Sequence, residues 1–151
     1  MYKKEVITYS PDETLELGVK LGSLLRPGNV ITLEGEVGAG KTTLTKGIAK
    51  GIGVDNNIKS PTFTIVKEYK GKYPFYHMDV YRLEDSDEDI GFLEYFHGDG
   101  ITVVEWASFI TDYLPDETLD IKIDYGEDES RVIKFTANSD YYKEIVDELT
   151  S

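Results

Sequence analysis

Three glycines lie within six positions of this chain, in the stretch GEVGAG at residues 35–40. The apolar run VITL at 30–33 comes just before it and predicts a buried strand. Residues 41 to about 50 have helical spacing, and glycines at 51 and 53 end that helix. Because glycine loses the most backbone freedom on folding, it weakens regular structure. A chain that concentrates glycine between a strand and a helix therefore needs bare backbone there.

The stretch from Gly35 to Thr42 matches the phosphate-binding loop pattern G-x-x-x-x-G-K-[ST]. In such a loop, backbone N–H groups and the helix N-terminus hold phosphate oxygens, and side chains would block that approach. The pattern predicts that Lys41 brings a full positive charge to the β- and γ-phosphates and that the Thr42 hydroxyl ligates Mg²⁺. The predicted nucleotide-binding residues of the loop are Glu36, Val37, Gly38, Ala39, Gly40, Lys41, Thr42 and Thr43.

Composition narrows the protein class. The chain has 151 residues, 40% of them hydrophobic, which predicts one folded domain over 1–151. It has no cysteine, which excludes a disulfide framework, an iron–sulfur cluster and a Cys-ligated zinc. Without an apolar leader or a membrane-length apolar run, we expect a cytoplasmic protein with no membrane partner. The net charge of −13 disfavours direct binding to nucleic acid and suits a basic protein partner, although solubility alone is the plainer explanation.

Hydrophobic periodicity predicts alternating strands and helices. SPDE at 10–13 reads as a helix start, with Ser10 as N-cap and Glu13 closing a capping box. The other predicted elements are strands in TFTIVKEY, YPFYHMDVY and ITVVEW, helices in SDEDIGFLEYF (capped by Ser86), ASFITDYL and SDYYKEIVDEL, and a hairpin of LDIKIDY with RVIKFTA. We therefore expect an α/β fold, specifically a three-layer sandwich like that of P-loop NTPases. Its core sheet would be largely parallel, with antiparallel hairpin additions.

Two carboxylates end apolar runs, Asp79 in YHMDVYR and Glu105 in ITVVEW. The carboxyl ends of parallel strands deliver side chains to the nucleotide crevice, so both are predicted catalytic residues, together with Lys41, and predicted metal ligands, together with Thr42. One carboxylate would hold Mg²⁺ beside Thr42 and the other would orient water, and the sequence does not assign which. The alternative is a structural carboxylate bonded to local backbone or to Arg82.

Several other residues carry weaker signals. His77 lies in a strand pattern and His97 in a glycine-rich loop, and we expect neither to form a metal site. Trp106 either packs or belongs to a functional surface. An arginine acting on the γ-phosphate within this chain would be Arg82 or Arg131. Thr62 or Thr64, in SPTFT at 60–64, is a candidate sensor of the γ-phosphate.

Absent motifs narrow the class of nucleotide hydrolase. The chain has neither the N/T-K-x-D motif that reads guanine nor a D-x-x-G switch. Its three arginines are scattered, which disfavours a small-molecule kinase that clamps a second phosphate-bearing substrate. What remains is a minimal ATPase whose product is a conformational change in another protein.

The motifs together resemble one family. GEVGAGKTTLTKG, KSPTFTIVKEY, YHMDVYRL, EYF and VVEWAS…LP are similar, in order and spacing, to the TsaE (YjeE) family, over about residues 10–136. Glu36 stands where that family often has aspartate. The resemblance implies a magnesium-dependent ATPase of tRNA threonylcarbamoyladenosine biosynthesis. It would act on the TsaB–TsaD pair, which attaches the threonylcarbamoyl group to adenosine 37 of ANN-decoding tRNAs, and would meet tRNA only through that complex.

The resemblance also implies roles for individual residues. Thr42 and Glu105 would lie at magnesium, and Asp79 and Thr43 would matter for activity. Trp106 would belong to the same functional motif as Glu105. Two further residues would approach the nucleotide, Thr14 in the first helix and Arg131 in the hairpin.

Two hypotheses remain open from the sequence. The first is an ATPase subunit, weak alone and stimulated by its partners, that drives or resets the threonylcarbamoyl-transfer complex. The second is a nucleotide-dependent interaction module whose hydrolysis is incidental. The paired carboxylates Asp79 and Glu105 favour the first, because a sensor needs no carboxylate to orient water.

Overall fold

The structure, a computed structural model, describes residues 2–35, 39–54, 66–80 and 92–150. Its strands are β1 (Tyr2–Thr8), β2 (Val30–Gly35), β3 (Val66–Lys70), β4 (Pro74–Asp79), β5 (Ile101–Glu105), β6 (Leu119–Tyr125) and β7 (Arg131–Ala137). Its α-helices are α1 (Pro11–Leu24), α2 (Lys41–Gly51), α3 (Phe92–Phe96) and α4 (Asp140–Thr150). A 3₁₀ segment spans Ala107–Tyr113. Within these ranges, no helix combines the length and the hydropathy needed to cross a bilayer.

The strands form one mixed sheet in the order β1-β7-β6-β2-β5-β4-β3. Strands β6, β2, β5 and β4 are parallel neighbours at its centre, and β1, β7 and β3 are antiparallel additions. The predicted hairpin of β6 and β7 is confirmed, but β6 also pairs in parallel with β2, with Leu33 opposite Ile121. Because β6 belongs to the parallel core, β7 and β1 are the strands of the described residues that extend the sheet beyond it on that side. The fold is mixed α/β.

Helices pack on both faces of the sheet, and the core is divided accordingly. The larger cluster joins alternate residues of the strands, such as Leu33 and Val103, to Leu21 of α1, Leu44 of α2 and Val146 of α4. The smaller cluster joins the intervening strand residues to α3 and the 3₁₀ segment on the opposite face. Side chains of a strand alternate between faces, so the face of every strand residue follows from its position.

Four glycines bring α1 and α2 into backbone contact. Gly18 and Gly22 on α1 face Gly47 and Gly51 on α2, each pair spaced four residues apart. A Cβ on Gly18 would lie 2.6 Å from the carbonyl oxygen of Leu44 and 2.9 Å from the Cα of Gly47. The four-residue spacing puts each pair on one helix face, so the two backbones can approach along a stripe. This contact fixes the helix that starts at the predicted phosphate loop.

Several local predictions need correction. Ser10 is the N-cap of α1 and accepts from Glu13 N–H, as predicted, but the Glu13 carboxylate accepts from Tyr9 N–H and not from Ser10. The segment predicted as an α-helix before Pro115 is 3₁₀, with a non-helical Ile110 inside it. Strand β1 was not predicted, because its sequence YKKEVIT is mostly polar and its hydrogen bonds come from β7.

Two predicted segments are only partly described. The strand predicted in TFTIVKEY is observed from residue 66, and the helix predicted in SDEDIGFLEYF is observed from residue 92. Residues 55–65 and 81–91 lie outside the described part of the chain, and with them the predicted cap Ser86.

Candidate active site

Three strands of the parallel core end at one edge, where they present the predicted site residues. Strand β2 ends at Gly35, β4 at Asp79 and β5 at Glu105. The register places Glu105 opposite Leu33 of β2 on one side and opposite Asp79 of β4 on the other. By strand alternation, Asp79 and Glu105 lie on the face that carries Leu33, Val103 and α2. The fold therefore brings the two predicted carboxylates together below the start of α2.

The described part of the glycine-rich stretch fits a backbone cradle. Gly40 is the N-cap of α2 with φ +109°, a left-handed conformation that favours glycine. A Cβ on Gly35 would lie 2.7 Å from the carbonyl oxygen of Ile123, so β6 leaves no room for a side chain there. Thr42 and Thr43 lie in the first turn of α2, where N–H groups lack intrahelical partners. The predicted loop residues Glu36, Val37 and Gly38 lie outside the described residues, and Ala39 is buried.

The Lys41 ammonium lies between a carboxylate and an aromatic ring. Its Nζ is 3.5 Å from Oε1 of Glu105 and 5.1 Å from the centre of the Trp106 ring. Trp106 directly follows β5 and has φ +63°, which a bulky residue adopts only under steric strain. The left-handed turn at Trp106 aims its ring back towards Lys41. The structure thus makes Trp106 part of the site.

Glu105 is a buried carboxylate with two different partners. Only 5% of the residue is exposed, its Oε2 lies 2.7 Å from Nε2 of His77, and its Oε1 faces Lys41. Burial alone would raise the pKa of Glu105, but the hydrogen bond and charge of His77, together with Lys41, outweigh it and lower the pKa below its usual range. Glu105 is therefore a carboxylate at neutral pH, and a weak base.

The donor set suits a hard cation that is completed by a nucleotide. Mg²⁺ prefers oxygen ligands and is commonly bound by one or two carboxylates, together with phosphate oxygens and water. Thr42, Asp79 and Glu105 are oxygen donors of this kind. The described residues contain no cluster of three or more His, Asp or Glu side chains arranged to hold a metal by themselves. A site of two carboxylates and a hydroxyl fits Mg²⁺ carried in with phosphate.

Thr14 lies beside the loop. The residue is buried, and its hydroxyl is 2.7 Å from that of Thr8, which fixes its rotamer. Its methyl carbon lies 4.0 Å from the point where a Cβ on Gly40 would stand. Thr14, in the first turn of α1, thus lies beside Gly40 of the glycine-rich stretch.

Arg131 starts β7 at the same edge of the sheet. Its Nη1 donates to the carbonyl oxygens of Glu129 and Ser130, and its guanidinium lies 4.6 Å from the centre of the Tyr125 ring. These contacts hold the side chain within its own turn. The candidates Arg82, Thr62 and Thr64 lie outside the described residues.

A cavity of about 360 Å³ opens at this edge, within the size range of small-molecule sites. The described residues that line it are Leu33, Glu34, Gly35, Lys41, Trp106, Lys122 and Asp124. Lys122 and Asp124 come from β6 and were not predicted from the sequence. They could not be predicted because they reach the cavity through the parallel pairing of β6 with β2, which no local pattern in LDIKIDY reveals.

His77 is a third residue for which the sequence predicted no part in the site. It is fully buried, and it contacts Glu105. A signal was available, because His77 precedes Asp79 by two positions and two-residue spacing in a strand puts both side chains on one face. His97 is exposed and lies beyond the end of α3.

Comparisons with known proteins identify the family. The sequence profile described as "Threonylcarbamoyl adenosine biosynthesis protein TsaE" matches residues 8–133. The "tRNA threonylcarbamoyladenosine biosynthesis protein TsaE" of Bacillus subtilis is 50% identical over 95% of this chain and 91% of its own length. The protein of the same description from Treponema pallidum is 40% identical over 84% of this chain and 96% of its own. The crystal structure of Bacillus subtilis YdiB matches with a TM-score of 0.83 and 43% identity, covering 99% of this chain and 95% of that one. This chain belongs to the TsaE family of tRNA threonylcarbamoyladenosine biosynthesis proteins.

Proposed function

We propose that this protein is a P-loop ATPase of the threonylcarbamoyladenosine pathway, with the three-layer architecture of P-loop NTPases. It binds Mg·ATP at the loop between β2 and α2 and hydrolyses it. One observation carries the proposal. Lys41 and Glu105 lie 3.5 Å apart at the carboxyl edge of the parallel core, and Asp79 is the register neighbour of Glu105. A cation for phosphate and two carboxylates for metal and water are the parts that phosphoryl transfer needs.

Each residue has a role in this proposal. The N–H groups at the start of α2 and the Lys41 ammonium hold the phosphates, and Thr42 is a metal ligand. Mg²⁺ supplies charge neutralisation on the phosphate oxygens when it is bound. The lowered pKa of Glu105 favours a metal ligand or an acceptor that orients water over a strong base. Asp79 takes the other of these two roles.

Net charge supports a protein partner, and the resemblance of the motifs to the TsaE family implies the TsaB–TsaD pair. The chain carries 16 basic and 29 acidic residues, so a basic surface would attract it. The chain has three arginines, so it has few guanidinium groups to compensate charge on the γ-phosphate, and that of Arg131 donates to carbonyl oxygens of its own turn. We therefore propose that the TsaB–TsaD pair docks this protein, completes or positions the site, and raises a slow basal rate.

A complementation assay tests the proposal in the cell. A bacterial strain depleted of its own TsaE receives this chain or its Lys41→Ala variant, and the threonylcarbamoyladenosine content of its tRNA is measured by mass spectrometry. We expect this chain to restore the nucleoside and the variant to fail at equal expression. The matched control Lys46→Ala removes an exposed cation from the same helix and should restore it fully. Restoration by Lys41→Ala would contradict the proposal.

A pull-down separates the ATPase from the interaction module. TsaB–TsaD is captured with this chain in the presence of ATP, ADP or no nucleotide, and ATP consumption is followed in parallel. We expect ATP to strengthen capture relative to ADP, together with hydrolysis that the partners stimulate. Nucleotide-dependent capture with no stimulated hydrolysis would instead favour the interaction module.

A further inference from the structure

We propose that His77 is a positioning residue that holds Glu105 through one carboxylate oxygen and so leaves the other oxygen to face the site. This inference rests on the proposed metal-dependent ATPase function and adds a residue to it. The two oxygens of Glu105 already have different partners, since Oε2 is 2.7 Å from His77 Nε2 and Oε1 is 3.5 Å from Lys41 Nζ. Nε2 is the donor in the shorter contact, because a carboxylate has only acceptor oxygens.

The burial of His77 indicates that the role of its ring is the hydrogen bond to Glu105. None of the side chain is exposed, and its Nδ1 has no hydrogen-bond partner among the described residues. Burying a polar ring with one unpartnered nitrogen is unfavourable, and an apolar side chain would fill the same space without that cost. Within the described part of the chain, the one hydrogen bond of the ring is that to Glu105.

The position of His77 couples it to the second carboxylate. His77 and Asp79 lie on one face of β4, two residues apart, and Glu105 lies beside them on β5. A hydrogen bond from β4 to Glu105 therefore fixes the side chain of one carboxylate relative to the backbone that carries the other. Glutamate has three rotatable side-chain bonds, and a charge-assisted hydrogen bond removes that freedom before a ligand arrives. Partners of this kind tune metal affinity without touching the metal.

Four single variants and one double variant test this role. His77→Gln keeps an N–H donor near the place of Nε2, whereas His77→Asn is too short to reach Glu105 and His77→Leu has no donor. Glu105→Gln removes the carboxylate on which His77 acts. His77→Leu is also combined with Glu105→Gln. All are compared for cooperative thermal unfolding, for ADP affinity without metal, and for Mn²⁺ affinity in the presence of ADP, measured by calorimetry.

We expect His77→Leu and His77→Asn to weaken Mn²⁺ binding by about tenfold or more, and His77→Gln to stay within about threefold of the unsubstituted protein. ADP affinity without metal should change little. In the Glu105→Gln background, His77→Leu should cause no further loss, because its effect passes through that carboxylate. A residue that only packs would lower stability equally in both backgrounds and leave Mn²⁺ affinity unchanged.

The outcomes separate this inference from the proposed function. If the unsubstituted protein binds neither ADP nor Mn²⁺, the proposed function fails and the inference fails with it. If it binds both and the Gln, Asn and Leu variants bind Mn²⁺ equally well, the positioning role alone is wrong. Equal loss of Mn²⁺ affinity from His77→Leu in both backgrounds would also overturn it. If His77→Leu does not fold, the difference between His77→Gln and His77→Asn decides.

Discussion

Replacing Gly18 by alanine should destabilise the protein although alanine is the better helix former. In an exposed helix the change would gain about 1 kcal/mol. Here the new Cβ would lie 2.6 Å from the Leu44 carbonyl oxygen, 2.9 Å from Gly47 Cα and 3.0 Å from Ile48 N, where ordinary contact needs 3.4–4 Å. All three are backbone atoms, so no side-chain rotation relieves the clash. Helices α1 and α2 must separate.

The expected loss of stability is the steric cost of the new Cβ minus the gain in helix propensity. Overpacking in a close-packed interior costs about 1–3 kcal/mol, and separating two helices also loosens the apolar contacts around Leu21 and Leu44. After subtraction of the propensity gain, we expect a loss of about 1–2 kcal/mol in the free energy of unfolding. For a chain of this size, that lowers Tm by about 2–8 °C.

Urea unfolding followed by far-UV circular dichroism measures this change. The control Glu16→Ala gives the same new residue on an exposed face of α1 and should stay within about 0.5 kcal/mol of the unsubstituted protein. Because α2 begins at Lys41, Gly18→Ala should also weaken nucleotide binding. If Gly18→Ala is as stable as Glu16→Ala, the two helices are not in backbone contact and the reasoning is wrong.

Four further outcomes are expected. Lys41→Ala should lower ATP affinity at least about tenfold in titration calorimetry, because it removes the ammonium from the phosphate cradle; unchanged affinity would contradict the phosphate-loop assignment. Glu105→Gln should keep nucleotide affinity and lose hydrolysis, and Asp79→Asn should also slow turnover. If both variants release phosphate at the rate of the unsubstituted protein, neither carboxylate has its assigned role. Tyr142 accepts a hydrogen bond from Val30 N–H, and burial raises its pKa to about 12. Above pH 10 the unfolded chain loses the proton of the Tyr142 hydroxyl, whereas the folded protein keeps it. The contribution of this hydroxyl to the free energy of unfolding is therefore complete below pH 10 and is lost between pH 10 and 12. Tyr142→Phe should lower the free energy of unfolding by about 1–3 kcal/mol at pH 7 and reduce its fall between pH 10 and 12. An equally steep fall of this free energy in both proteins would contradict the prediction. The chain alone should bind tRNA negligibly at physiological salt because of its net charge of −13, and a gel shift at sub-micromolar protein would refute this.

The placement of the candidate site residues could be predicted where local sequence determines it. The Gly35–Thr42 pattern needs only a strand before it and a helix after it, and both are observed, with α2 starting at Lys41. Asp79 and Glu105 close their strands, and parallel strands end at one edge. Their place at one edge of the sheet therefore followed from strand polarity, whereas their direct proximity also needs β4 to pair with β5.

What the sequence did not reveal depends on pairing between distant segments. Strand β1 is polar and exists because β7 supplies its hydrogen bonds. Lys122 joins the cavity because β6 pairs with β2, which are far apart in the chain. The contact of His77 with Glu105 needs β4 and β5 to be neighbours with that register. Even so, the shared face of His77 and Asp79 was readable from their two-residue spacing.

The steady-state rate of ATP hydrolysis, measured with and without TsaB–TsaD, decides whether this protein is an ATPase that its partners stimulate. Magnesium, ATP and the protein are held constant, and Glu105→Gln is the control for contaminating activity. We expect slow hydrolysis by the chain alone, an increase of several-fold with the pair, and no such increase with Glu105→Gln. Equal rates with and without the pair, or stimulation that persists in Glu105→Gln, would contradict this expectation.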